Sequence, residues 1–284
     1  MTKYAIFFLL LLSCSASAQS VFPLYKDSIP NNLVELHGDR VPTITIYKPP
    51  KEKANRKAII VIPGGAYMFL ATSTEGTPIA KAFADSGYTA FVLKYRLPSD
   101  QTMRDKSIGP LQDAQQAIKY ARLYAAEWNI DTAKVGVIGY SAGGHLASTV
   151  GTHFKTSFIP NPEGINLRPS YMILVYPVIS MEKPLTHNGS RNSLIGRYPS
   201  QLLVDLFSNE KQVTSSTPPT YLTHTADDRV VHVNNSIVFY KALQESNVNV
   251  EMHLFPNGNH GFTQKMGVKE WLNPMLKWLR SIGQ

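Results

Sequence analysis

Cysteine is nearly missing from this chain of 284 residues; Cys14 is the only one. Beyond residue 14 no disulfide and no thiol chemistry is available, and a domain of this size has core enough to fold without such staples. Charge is also scarce, 17% of residues against 43% hydrophobic, which suits a compact globular domain. No apolar run approaches the roughly 20 residues that span a bilayer. The eight histidines are dispersed, with neither H-E-x-x-H nor a paired histidine and carboxylate at ligand spacing, so no metal and no cofactor is expected. Two nucleotide signatures fail as well. Ile138 follows Gly136-Val137 where G-x-G-x-x-G needs its second glycine, and Gly144 precedes His145 and Leu146 where a P-loop needs Lys and Ser or Thr. The net charge is +8, but the basic residues are scattered. Their densest group, Lys48, Lys51, Lys53, Arg56 and Lys57, lacks the interleaved aromatics of a nucleic-acid face, so no nucleic-acid partner is expected.

The N-terminus carries a short positive segment, Met1-Thr2-Lys3, and an apolar stretch over residues 4–12. With Ala16-Ser17-Ala18 as an A-x-A site, residues 1–18 read as a signal peptide and 19–284 as the exported chain, periplasmic or secreted and without stable membrane insertion. Leu11-Leu12-Ser13-Cys14 offers a competing lipoprotein reading with an anchor at Cys14; the A-x-A site is the better formed of the two.

Strand-like and helix-like runs then alternate. Residues 43–47 alternate with period two, 58–62 are apolar throughout as in a buried parallel strand, and 88–93, 134–138, 171–176, 220–225 and 248–254 read as further strands. Helical patterns fall at 78–83, 111–128, 146–150 and 233–243, and a last one carries Trp271, Leu272, Met275, Trp278, Leu279 and Ile282. This alternation predicts an α/β fold, a mostly parallel central sheet flanked by helices on both faces. Residues 180–216 break the rhythm between two core strands. They are expected to form a short cap excursion over the C-terminal edge of the sheet, where ligands bind in such folds.

The most informative residues are Gly139-Tyr140-Ser141-Ala142-Gly143-Gly144-His145, a G-x-S-x-G turn between a strand and a helix. Such a turn thrusts a serine hydroxyl out of the backbone, and side chains in place of its glycines would clash. A serine nucleophile needs a base, and the base needs an orienting acid. With the order nucleophile, acid, histidine, His260 in Gly258-Asn259-His260-Gly261-Phe262 is the expected base, in a loop after the last strand. His145 reads as packing, His224 and His253 as structural or exposed. For the acid, Asp227, first after the strand end, is preferred over Asp228; adjacent residues point apart, so only one can serve. The oxyanion donors are expected in Pro63-Gly64-Gly65-Ala66-Tyr67, from the amides of Gly65 and Ala66, together with Ala142. Tyr67, Glu75, His187 and Arg191 are candidate substrate-pocket residues.

The chain resembles exported bacterial acetylxylan esterase-like carboxylesterases of the α/β-hydrolase superfamily. The resemblance rests on the segments 62–67, 90–97, 139–148, Gly189-Ser190-Arg191, Thr217-Pro218-Pro219-Thr220 and His260-Gly261-Phe262. Relatives usually carry a third oxyanion-loop glycine where Ala66 stands here. The resemblance implies an α/β-hydrolase fold and hydrolysis of short acyl esters, acetyl foremost, on plant-cell-wall carbohydrate such as xylan; the implied partner is that acylated carbohydrate. Two alternatives stand beside it. A prolyl-oligopeptidase-like peptidase would share the elbow and the histidine loop but carries a large N-terminal propeller, whereas only residues 19–42 lie between the signal and the first predicted strand here. A carbohydrate-binding protein on a dead hydrolase scaffold would have no need of an intact triad.

Overall fold

The run Ala58–Ile62 is apolar at every position because both of its faces are covered. In the computed structural model, which describes residues 20–284, it forms a central strand. Ile60 and Ile62 enter the core on one side of the sheet, Ile59 and Val61 the core on the other, as the two-residue period of a strand requires. The expected signal segment and its Cys14 alternative lie outside the described residues.

The strands are β1 (Ser20–Pro23), β2 (Thr43–Tyr47), β3 (Ala58–Ile62), β4 (Thr89–Lys94), β5 (Val135–Tyr140), β6 (Met172–Val175), β7 (Thr220–Thr225) and β8 (Val250–Phe255). They make one sheet in the order β1-β2-β4-β3-β5-β6-β7-β8. β2 runs antiparallel to both β1 and β4, and every pairing from β4 to β8 is parallel. Helices α2 (Gly109–Leu123), α3 (Ala142–Thr152) and α6 (Asn234–Glu245) cover one face, and α1 (Thr77–Asp85) and α7 (Val268–Ser281) the other. The fold class expected from the alternation is the one observed. Because six strands are parallel, their C-terminal ends share one edge, and the loops after β3, β5, β6, β7 and β8 gather there.

Three local readings differ. The four residues of β1 are too few for a periodicity to register. The helix expected to reach residue 128 ends at Leu123, yet Ala125 and Trp128 stay buried in the following turn, so the apolar spacing outlasts the helix. A π-helical turn, Thr72–Gly76, precedes α1; it buries Glu75 and has no period of its own.

The excursion over 180–216 contains α4 (Asn188–Ile195) and α5 (Gln201–Phe207), started by N-caps from His187 and Ser200. It is tied to α3 by polar groups. Asn209 Nδ2 donates to Ser148 Oγ (2.7 Å), to Thr149 Oγ1 (3.0 Å) and to the carbonyl of His145 (3.2 Å). His145, fully buried, lies 2.8 Å through Nε2 from the Phe207 carbonyl and 2.8 Å through Nδ1 from the Tyr67 hydroxyl. The carbonyl can only accept, so Nε2 carries the proton and Nδ1 accepts from Tyr67. This neutral ring joins the loop after β3, the elbow helix and the excursion.

Burial drives the His145 pKa down to about 4 from 6.5. A base depressed in the folded state contributes stability that is fully present above its unfolded value and is lost as pH falls toward the folded one. Its contribution should therefore vanish between about pH 6.5 and 4, by roughly 3 kcal/mol at most. Urea unfolding of the wild type and of His145→Gln across that window should show the shallower pH dependence in the variant; equal slopes would contradict this role.

Candidate active site

Between β5 and α3 the chain turns through Ser141 at φ 52° and ψ −119°, a conformation that costs a non-glycine residue about 1–3 kcal/mol. The turn is held by three backbone hydrogen bonds: Ser141 N–H to the Val175 carbonyl (3.0 Å), and His145 N–H (3.1 Å) and Val178 N–H (3.0 Å) to the Ser141 carbonyl. A Cβ on Gly139 would lie 2.2 Å from the Gly143 carbonyl oxygen, and one on Gly143 would lie 2.2 Å from that of Ile62. Both contacts are to backbone that cannot step aside, so the glycines of the motif are sterically required.

His260 reaches the serine from the loop between β8 and α7. Its Nε2 lies 3.0 Å from Ser141 Oγ and its Nδ1 2.7 Å from Asp228 Oδ2. With Nδ1–H donated to the carboxylate, Nε2 is free to accept the serine proton, the tautomer a general base requires. Asn259 Oδ1 accepts from the His260 amide (2.8 Å), and the ring centroid lies 4.6 Å from that of Tyr176.

The carboxylate that meets His260 is that of Asp228 and not that of the expected Asp227. After β7 a tight turn carries Asp227 outward and folds Asp228 under the loop. There Asp228 Oδ1 accepts from the amides of Val230 (2.8 Å) and Val231 (2.9 Å). Asp227 is exposed, and its carboxylate takes the amides of Asn259 (2.8 Å) and Gly258 (3.2 Å), so it pins the histidine loop from outside. Rank after the strand end misled because the turn decides which of two adjacent side chains faces inward. His224, buried at the end of β7, donates through Nε2 to the Val231 carbonyl (3.0 Å) and Asp228 Oδ2 (3.2 Å). Its place four residues before Asp228 was the available signal, and sequence reasoning passed over it. Burial would raise the Asp228 carboxyl, but the hydrogen bonds from His224 and His260 outweigh it and hold the group well below the usual carboxylate range. It is an anion when His260 needs one.

The loop after β3 lies against the elbow; a Cβ on Gly64 would stand 2.9 Å from that of Ser141. Gly65, Ala66 and Tyr67 all have positive φ, 123°, 55° and 59°, so the left-handed turn is formed with an alanine at its centre. Among the described residues, the amides of Gly65, Ala66 and Ala142 donate to no protein acceptor. They are available for a developing oxyanion.

Of the four expected pocket residues, three are committed elsewhere. Tyr67 is buried and holds His145. Glu75 is buried and accepts from the Gly64 amide (2.8 Å) and the Tyr176 hydroxyl (3.0 Å). Arg191 is buried and donates to the Met181 carbonyl (2.9 Å). The half-buried His187 caps α4 through Ser190 and lies near the triad, its pKa lowered by burial and by the neighbouring His260. Absent from the expected set is a cleft of about 500 Å³ beside the oxyanion loop, with Tyr95 and Met103 at its floor and Met68, Phe69, Arg40 and Gln101 on its rim. Phe69 is 58% exposed and lies beside Met68, 60% exposed, so the rim presents a small apolar surface.

Residues 44–243 match the BD-FAE family. The chain belongs to that family. Among similar proteins are endo-1,4-β-xylanase B of Butyrivibrio fibrisolvens, 37% identical over 83% of this chain and 35% of the xylanase, and the acetylxylan esterase of Xylanibacter ruminicola, 33% identical over 81% of this chain and 47% of the esterase. The chain thus spans a third to a half of the length of these relatives. A solved acetyl ester-xyloside bifunctional hydrolase from Caldicellulosiruptor lactoaceticus superposes with a TM-score of 0.83 at 39% identity, covering 93% of this BD-FAE chain and 96% of the other.

If Asp228 orients His260 in this BD-FAE protein, Asp228→Asn should lower kcat on a small aryl acetate by up to about 10⁴-fold, the loss seen when a triad acid becomes an amide. Asp227→Asn should cost no more than about tenfold, through a looser histidine loop. The reverse ranking would return the role to Asp227.

Proposed function

We propose that this chain is a serine carboxylesterase that removes short acyl groups, acetyl foremost, from xylan or xylo-oligosaccharides. The observation that carries the reading is the unbroken chain from Ser141 through His260 to Asp228, at 3.0 and 2.7 Å, beside amides with no internal acceptor. The substrate class is supported by the names of the relatives at 37% and 33% identity and of the solved structure at 39%.

In the proposed cycle Ser141 Oγ attacks the ester carbonyl while its proton passes to His260 Nε2. Asp228 Oδ2, already bonded to Nδ1, offsets the imidazolium charge. The tetrahedral oxygen takes the amides of Ala142 and of Gly65 or Ala66. Collapse expels the sugar alkoxide, which receives the proton from His260, and leaves an acyl ester on Ser141. Water then gives its proton to His260 and attacks that ester. The carboxylic acid leaves and the proton returns to the serine. The cleft beside the oxyanion loop is the proposed seat of the neighbouring sugar units, with Phe69 as a stacking surface. The excursion brings His187 near His260 but does not line that cleft. We further infer that residues 1–18 direct export, on their positive segment, apolar run and A-x-A site.

Acetate release across a panel of acetylated glycans should be greatest with xylo-oligosaccharides and abolished by Ser141→Ala with the fold intact; a flat panel would defeat the substrate class, and an active Ser141→Ala would defeat the mechanism. Phe69→Ala should raise KM for acetylated xylo-oligosaccharides by about tenfold, the scale of one lost base- or sugar-sized stacking contact, with p-nitrophenyl acetate unaffected. Equal loss on both would place the sugar elsewhere.

A further inference from the structure

Glu75 is a buried carboxylate for which the triad mechanism has no use. It is 5% exposed and, among the described residues, makes no ion pair with a lysine, arginine or histidine. A carboxylate in such surroundings is costly to keep. Such groups concentrate where a charge does work. Its two oxygens reach the two sides of the candidate site. Oε2 accepts from the amide of Gly64 at 2.8 Å, in the residue before the oxyanion donors, and Oε1 accepts from the Tyr176 hydroxyl at 3.0 Å. Tyr176 in turn lays its ring 4.6 Å from that of His260 and sits at φ 36°, a backbone that needs holding. Space enforces the first contact: a Cβ on Gly64 would stand 2.7 Å from Glu75 Oε2.

We propose that Glu75 is a positioning residue that ties the oxyanion loop to the ring supporting His260, and that its negative charge favours the imidazolium formed on His260 in each proton transfer. This rests on the esterase reading and deepens it. Both partners are donors, which suits an ionised acceptor. Burial raises the Glu75 carboxyl, while the Gly64 and Tyr176 hydrogen bonds and the nearby His260 oppose that rise. The other titratable groups that feel its charge are the hydroxyls of Tyr95, Tyr140 and Tyr176. Burial raises all three, so they stay neutral across the working range; the groups that face His260 are Glu75, Asp228 on Nδ1 and His187.

The test compares Glu75→Gln and Glu75→Ala with the wild type, using p-nitrophenyl acetate turnover against pH and the rate of Ser141 labelling by a fluorophosphonate. The amide of Gln can still accept from Gly64 and donate to the Tyr176 oxygen, so it keeps the ties and removes the charge. Glu75→Gln should lower kcat about tenfold at unchanged KM and move the acid limb of kcat/KM to lower pH by about half a unit, because an anion near the base has gone. Glu75→Ala should cost more, up to about a hundredfold, the lower end of the 10²–10³ of a deleted oxyanion donor. A Glu75→Gln enzyme with wild-type kcat and an unmoved acid limb would overturn the proposal even if Glu75→Ala fails to fold. A wild type inert to both reagents would overturn the esterase reading along with it.

Discussion

The close approach of α3 to the ends of β3 and β5 is the constraint on which the site depends. It forces Ser141 into a positive-φ turn, and it leaves no room for a side chain at Gly139 or Gly143. The strain is local, and the surroundings over-determine it. Three backbone hydrogen bonds hold the turn, and the buried faces of β3 and β5 fix the strand from which it starts. From that fixed point the remaining geometry follows. The Ala142 amide is the first orphan donor of a helix, and the loop after β3 must lie close by because Gly143 packs on the Ile62 carbonyl.

Around this turn the protein buries several polar groups; among the described residues the Tyr140 hydroxyl has no partner, but three clusters are paired in ways that serve the geometry. Neutral His145 bridges Tyr67 and Phe207. Arg96 and Asp113, an almost fully buried pair at 2.8 Å, lock the end of β4 to α2, with the Tyr25 hydroxyl adding a third contact. His224 backs Asp228. Burial of such groups is weak evidence for stability, since apolar replacements can do as well. Their common feature is position: they fix the loops at the C-terminal edge of the sheet, where an error of about 1 Å would cost catalysis dearly.

Much of this was legible in the sequence, and the failures have physical causes. Ala58–Ile62 could be read to the residue, because a run buried on both faces has sharp apolar limits, and Thr220–Thr225 also falls where expected, just after Pro218-Pro219. Ser141 and His260 were legible because the elbow's glycines and the loop position are steric requirements written locally. Asp228 was not, since which of two adjacent carboxylates turns inward depends on amides two and three residues further on. The roles of Tyr67, Glu75 and Arg191 were illegible for a related reason. Each lies near the site in sequence logic, but its partners, His145, Gly64 with Tyr176, and Met181, come from other elements. The cleft beside Phe69 is made by three segments far apart in the chain, and no local pattern announces it.

The central claim is that Ser141, His260 and the amides of Ala142 and the loop after β3 form one pre-organised reaction centre. The most direct measurement is a crystal structure of the chain after reaction with a small phosphonate ester, whose adduct mimics the tetrahedral intermediate. The phosphorus should be bonded to Ser141 Oγ, with one phosphoryl oxygen within about 3 Å of the Ala142 amide and of the Gly65 or Ala66 amide. An adduct on another residue, or a phosphoryl oxygen directed away from those amides, would contradict the account.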